Sequence, residues 1–170
     1  MISRINRSAP NLVLLCVDRR EGGNFSGELH DRYSPRGRPF SSMEEMQKRL
    51  ESFYDRLGCP QASTKTRGFS AKAKGSKTAE ERAELKMVQD TEKLLQHKGD
   101  IATFVIHVKY RQNASWQGNI VWAEKKQESS FRSALEMIKL IDAALDQSET
   151  PPEGNDEPAL SRPKQEGKEK

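Results

Sequence analysis

Residues 12–55 and 103–146 align without a gap at an offset of 91. Nine of the 44 aligned positions are identical, against about three expected by chance from ordinary residue abundances. The identities are Val17/Val108, Arg20/Arg111, Gly27/Gly118, Phe40/Phe131, Ser42/Ser133, Glu45/Glu136, Met46/Met137, Lys48/Lys139 and Asp55/Asp146. Self-similarity at a fixed offset is the mark of a duplicated supersecondary unit. It constrains the fold more than any other feature, because whatever one half forms the other is expected to form again.

Each half reads as strand, strand, helix. Val13, Leu15 and Val17 alternate along the first strand, and Phe104, Ile106 and Val108 take the same places in the second half. A period of two predicts a half-buried strand. Glu21-Gly-Gly-Asn24 and Gln112-Asn-Ala-Ser115 follow as turns, rich in residues that tolerate positive φ or bond their own backbone. The second strands place Phe25, Gly27 and Leu29 on one face, matched by Trp116, Gly118 and Ile120. A mid-strand glycine in both halves predicts a close backbone approach, with a helix expected to pass over it. Ser42-x-x-Glu45 and Ser133-x-x-Glu136 are capping boxes, in which serine bonds an amide three residues on and glutamate returns to the serine amide. Apolar stripes follow each cap, and Gly58 is placed to close the first helix. Phe40 and Phe131, two residues before the caps, are expected to wedge helix against sheet.

The expected fold class is α+β. A tandem ββα repeat forms a four-stranded antiparallel sheet with two helices on one face, and a further helix is inserted between the repeats. Residues 1–11 read as an N-terminal extension, 12–58 as the first repeat, 59–77 as a basic flexible loop and 78–98 as a linker helix. That helix is predicted from a third capping box, Thr78-x-x-Glu81, a thin stripe of Leu85, Val88 and Leu95, and Gly99 as terminator. Residues 101–147 form the second repeat, and 148–170, rich in Pro, Glu and Lys, read as a disordered tail. One unit alone buries too little surface to be stable, so the halves are expected to pair within the chain, and chains are compatible with pairing too.

The 170 residues carry 29 Lys and Arg against 25 acidic groups, a net +4 that permits anionic partners without demanding them. Hydrophobic content of 34% and a mean hydropathy of −0.88 are lean, so part of the chain is expected outside the core. No apolar run is long enough to span a bilayer, and Leu12–Val17 is too short for a signal-peptide core. A cytoplasmic location with no membrane partner is expected, and Cys16 and Cys59 suit a reducing compartment.

Catalytic signatures do not emerge. Cys16, His30, Cys59, His97 and His107 lack the close spacings of zinc ligands. There is no nucleophile elbow and no phosphate loop, and paired carboxylates such as Glu44-Glu45 fall on first helical turns, where they face the helix dipole. Asn24-Phe-Ser-Gly27 falls short of a cyclic-dinucleotide motif because residue 29 is Leu. The chain reads as a non-enzyme without cofactor or metal.

Two surfaces are candidates for binding. The first is the basic loop, where Lys65, Arg67, Lys72, Lys74 and Lys77 surround Phe69 with no acidic residue between Cys59 and Ala79. Cations on a loop neutralise phosphates, and an aromatic ring stacks on an unpaired base. The plainer alternative is a solvated linker. The second is the sheet face away from the helices, to which alternation assigns Asp18, Arg20, Ser26, Glu28 and His30 from one half and His107, Lys109, Arg111, Gln117 and Asn119 from the other. Polar sheet faces bind single-stranded nucleic acid, although the usual exposed aromatics are missing from this one.

The segment 110–145, with its RQNASWQG hairpin and FRSALEMIKLID helix, together with FSGELHDRYS and FYDRLGCPQAS upstream, resembles a family of small uncharacterised bacterial proteins. The resemblance implies a bacterial or mobile-element origin and transfers no activity or catalytic residue. The sequence thus points to a non-enzymatic module for nucleic acid, using Lys65, Arg67, Phe69, Lys72, Lys74, Lys77, Arg20, Lys109 and Arg111. The alternative is a protein-interaction module such as a mobile-element-encoded inhibitor of a host defence nuclease, in the manner of an anti-CRISPR protein. Compatible partners are nucleic acid or nucleoprotein, a protein, or a second copy of the chain.

Overall fold

The structure, a computed structural model, describes residues 5–62, 85–112 and 115–149. Its elements are β1 (Leu12–Glu21), β2 (Asn24–Asp31), β3 (Arg38–Phe40), α1 (Met43–Leu57), α2 (Thr91–Leu94), β4 (Ala102–Tyr110), β5 (Gln117–Trp122), β6 (Gln127–Phe131) and α3 (Ala134–Glu149). The fold is α+β. All six strands form one antiparallel sheet in the order β3-β2-β1-β4-β5-β6.

The expected four strands are thus corrected to six. The two additional strands are short and carry little apolar periodicity: Arg38-Pro-Phe40 and Gln127-Glu-Ser-Ser-Phe131. Each ends on the phenylalanine read as a wedge. Phe40 lies opposite Gly27, and Phe131 lies opposite Gly118. Val17 pairs with Gly27 and Val108 with Gly118, and both first strands slip register just beyond that valine. The close approach to each glycine comes from the neighbouring strand rather than from a helix. A Cβ on Gly27 would stand 1.9 Å from the carbonyl oxygen of Cys16, and one on Gly118 would stand 2.1 Å from that of His107.

The helices lie where their caps place them. Ser42 and Ser133 accept from the amides of Glu45 and Glu136 at 3.2 and 3.0 Å. The glutamates return one residue earlier than expected, to the amides of Ser41 and Arg132 at 2.8 and 2.6 Å. Gly58 closes α1 in the left-handed region at φ 65°, bonding the carbonyl of Tyr54. Between Glu21 and Asn24, Gly22 and Gly23 both take positive φ (57° and 77°), as a two-residue hairpin turn requires. The main core lies between helices and sheet, around Val17, Phe25, Phe53, Tyr54, Phe104, Trp116, Phe131, Met137 and Ile141.

The other face of the sheet is also covered. Leu12, Leu14, Cys16 and Val105 point there and pack under Ile5 and Leu94, with Leu95 and Val121 at the margin. The central strands are apolar at nearly every position, Leu12–Val17 and Ala102–Val108, so both faces need shielding from water. The cover comes from the N-terminal segment and from the segment around α2. Among described residues the predicted linker helix is reduced to the single turn Thr91–Leu94, capped by Asp90, whose side chain accepts from Lys93. Its stripe of Leu85, Val88 and Leu95 is too thin to hold a longer amphipathic helix on the sheet. Thr78 and the start predicted for that helix lie outside the described residues, as does the tail beyond 149.

Candidate nucleic-acid interface

Lys65, Arg67, Phe69, Lys72, Lys74 and Lys77 fall in residues 63–84, outside the described part of the chain. What the structure describes is where that segment is rooted. The chain leaving α1 runs beside the end of β4, where Ala62 makes a parallel bridge with Arg111. The Arg111 side chain holds this exit in place. Its Nε donates to the carbonyl of Pro60 at 2.8 Å, its Nη1 meets Asp55 of α1 at 2.7 Å, and its guanidinium lies 5.6 Å over the ring of Tyr54. On the return side, the amide of Val88 donates to the carbonyl of Arg32, and the Gln89 side chain donates to the carbonyls of Asp31 and Ser34.

Arg111 is 4% exposed, so it is an anchor and not a surface cation. Arg20 is similar. Its Nη2 reaches Asp142 and Asp146 of α3, each at 2.7 Å. Both arginines therefore point to the helix side of the sheet, not to the far face expected from alternation. The reason is the register slip after Val17 and after Val108, which inverts the side-chain direction beyond it. The two arginines also cross between halves: Arg20 from the first strand clasps the last helix, and Arg111 from the second half clasps the first helix. Asp55 and Asp146, identical in the sequence alignment, are their partners.

The expected open polar face is likewise corrected. His30, His107 and Asn119 are buried beneath the covering segments. His30 stacks on His97 with ring centroids 4.0 Å apart and faces Glu28 at 3.3 Å. Cys16 lies below, and burial with the nearby carboxylates Asp18, Glu28 and Glu124 pushes its thiol up to about 12, so it stays protonated. Among the described residues no three His, Cys, Asp or Glu side chains converge as metal ligands would. Of the predicted sheet-face cations, Lys109 alone stands on the surface. Beside it Tyr110 is 55% exposed, next to Arg111 and the root of the basic segment. Sequence reasoning passes over Tyr110; an aromatic ring closely following the strand's last apolar residue is its sole signal.

No family profile, curated protein or solved structure matches the chain. No helix among the described residues is long and apolar enough to cross a membrane.

The buried imidazoles carry a pH prediction. Burial lowers His30 below its usual 6.5, aided by His97 and opposed by Glu28, Asp18 and Asp31. Burial, then Lys109, lowers His107. Below 6.5 the unfolded chain binds protons at these two groups that the folded chain does not. Stability is therefore fully present above that value and declines as pH falls toward the folded pKa values. Thermal melts between about pH 7.5 and pH 5, above the main carboxylate titrations, are expected to show a falling midpoint. A His30→Gln/His107→Asn variant is expected to flatten that slope, and an unaltered slope would assign the pH dependence to other groups.

Proposed function

We propose that this protein is a non-enzymatic nucleic-acid-binding module whose contact surface is the basic loop 59–77 together with Lys109 and Tyr110 at its root. The supporting observation is the anchoring of that root. Arg111 fixes the departure of a segment carrying Lys65, Arg67, Lys72, Lys74 and Lys77 beside an exposed lysine and an exposed aromatic ring. Cations neutralise phosphates, and Tyr110 and Phe69 supply faces on which unpaired bases stack. Arg20 and Arg111 are excluded from this surface because each is committed to carboxylates of a helix. A single-stranded ligand suits the exposed ring of Tyr110 better than a duplex, whose bases are already stacked.

The test is fluorescence anisotropy with single-stranded and duplex oligonucleotides across a salt series. The expected result is binding that weakens steeply with salt. Replacing Lys65, Arg67, Lys72 and Lys74 by alanine is expected to lower the slope of log K against log salt by roughly 0.7 for each phosphate of a single strand that is no longer neutralised. Tyr110→Ala is expected to weaken single-strand binding by about 1–3 kcal/mol with little change in slope. Absence of binding at low salt ends this reading.

A protein partner, such as a defence nuclease occluded by a mobile-element product, is the second reading. It is favoured by Met87 and Val88, both 54% exposed where the chain returns from the basic segment. Affinity capture in which Met87→Ser/Val88→Ser loses a stoichiometric partner would move the assignment there. We also infer that the two halves are copies of one βββα unit. The inference is supported by the matching Val–Gly–Phe rows across three strands, the matching caps and the crossed Arg–Asp pairs.

A further inference from the structure

The chain leaves the sheet for the basic loop and returns from it at the same end. Leu12 of β1 stands opposite His107 of β4, and Val13 stands opposite Asp31 of β2. Lys109 and Tyr110 therefore emerge past the start of β1 on one flank, and Arg32 emerges on the other. β2 and β4 border β1 on either side, so the two flanks are about 10 Å apart, twice the strand spacing.

On the Arg32 flank three stretches of chain are tied together. Nη1 of Arg32 donates to the carbonyl of Ser8 at 3.2 Å, and the carbonyl of Arg32 accepts from the amides of Val88 and Gln89. The Gln89 side chain reaches the carbonyl of Ser34, and the Thr91 hydroxyl donates to the carbonyl of Arg7 at 2.9 Å. These bonds gather four cations on one platform: Arg7, Arg32, Arg36 and Lys86. Arg7, Arg36 and Lys86 are exposed and Arg32 is half-buried. None of the four has an ion-pair partner among the described residues. The carboxylates beside them are engaged elsewhere: Asp31 is buried against Arg38, and Asp90 caps α2. Cations held together without partners repel one another, and a polyanion relieves that repulsion.

We propose that this platform is a second phosphate-binding station, and that a single nucleic-acid strand crosses the end of the sheet from Tyr110 and Lys109 to Arg7, Arg32, Arg36 and Lys86. The proposal rests on the nucleic-acid reading above and extends it to the opposite flank. A phosphodiester chain carries one charge per nucleotide and so meets cations at both stations, while its unpaired bases suit the ring of Tyr110, 55% exposed at the first.

Fluorescence anisotropy of the full chain with labelled oligothymidylate tests it. The triple variant Arg7→Ser/Arg36→Ser/Lys86→Ser is expected to bind about tenfold or more weakly at low salt, and to lose roughly 2 from the slope of log K against log salt. Its melting temperature is expected to match the parent's, because the bonds that tie the platform use the backbone of Arg7 and the side chain of Arg32, which is retained. The double variant Arg36→Ser/Lys86→Ser leaves the N-terminal stretch untouched and is expected to give about two-thirds of the change in slope. The control Lys98→Ser/Lys125→Ser/Lys126→Ser removes equal charge at the opposite end of the sheet and is expected to keep the parent's slope. A triple variant that binds like the parent, while neutralising Lys65, Arg67, Lys72 and Lys74 abolishes binding, would overturn the platform and leave the loop reading standing. A control that weakens binding equally would reduce the effect to net charge. Displacement of the oligonucleotide by polyglutamate of matched charge would assign the platform to an acidic protein instead. A parent that binds no oligothymidylate at low salt ends both readings.

Discussion

Gly27→Ala and Gly118→Ala are each expected to destabilise the fold by about 3 kcal/mol or more, at or above the upper end of overpacking costs. The obstacle at each is a backbone carbonyl of the adjacent strand, 1.9 Å from the new Cβ at Gly27 and 2.1 Å at Gly118. A side chain could rotate away, but a carbonyl in a central ladder cannot move without breaking strand pairing. At Gly118 the ring of Phe131 is a second obstacle, 2.9 Å from the same point. A loss of that size is a large fraction of the stability of an ordinary domain. Denaturant titration of the two variants checks it. A cost below about 1 kcal/mol would mean that the strands separate there more easily than their register suggests.

Arg111→Met is expected to destabilise by about 2–3 kcal/mol, and Arg20→Met by about 1 kcal/mol. Methionine keeps much of the volume, so the difference isolates the polar interactions. Arg111 is nearly inaccessible and gives up both Asp55 and the Pro60 carbonyl, which fixes the exit of the basic segment. Arg20 is bound by two carboxylates that are 44% and 65% exposed, so water replaces much of what the guanidinium supplied. A double-mutant cycle between Arg111→Met and Asp55→Ala is expected to give a coupling of about 1 kcal/mol. In parallel, the salt slope of oligonucleotide binding is expected to be unchanged in Arg20→Met. A reduced slope would identify Arg20 as a phosphate ligand despite its ion pairs.

The legible and illegible parts of this fold divide along a physical line. Strands β1, β2, β4 and β5 and the two long helices announce themselves through periodicity and caps, because those signals are local. Strands β3 and β6 do not, since one is interrupted by proline and the other is polar; their membership in the sheet depends on Phe40 and Phe131 lying against glycines of the neighbouring strands. The direction of Arg20 and Arg111 is hidden by a one-residue slip that no alternation rule anticipates. Yet the alignment of the two halves holds the answer in another form: an arginine and an aspartate, both identical in the two halves, are each other's partners across them. The covered second face is legible in principle, because Leu12–Val17 is apolar at every position rather than at every other one. Of the candidate site, the basic composition is plain from sequence. The anchoring of its root by Arg111 requires knowing that Pro60 and residue 111 are neighbours.

The cover over that second face has a consequence of its own. Among the described residues it consists of a short N-terminal stretch and one helical turn, held by Ile5, Leu94 and a pair of stacked imidazoles, while the helix side rests on two full-length helices. The sheet is therefore protected unequally, and local opening events are expected to favour the thin side. Each such event uncovers an apolar strip across the middle of a β-sheet, formed by Leu12, Leu14 and Val105. A strip of that kind is a template for adventitious sheet stacking. Conditions or substitutions that loosen the cover would then appear first as lost solubility, with the helix-side core still intact.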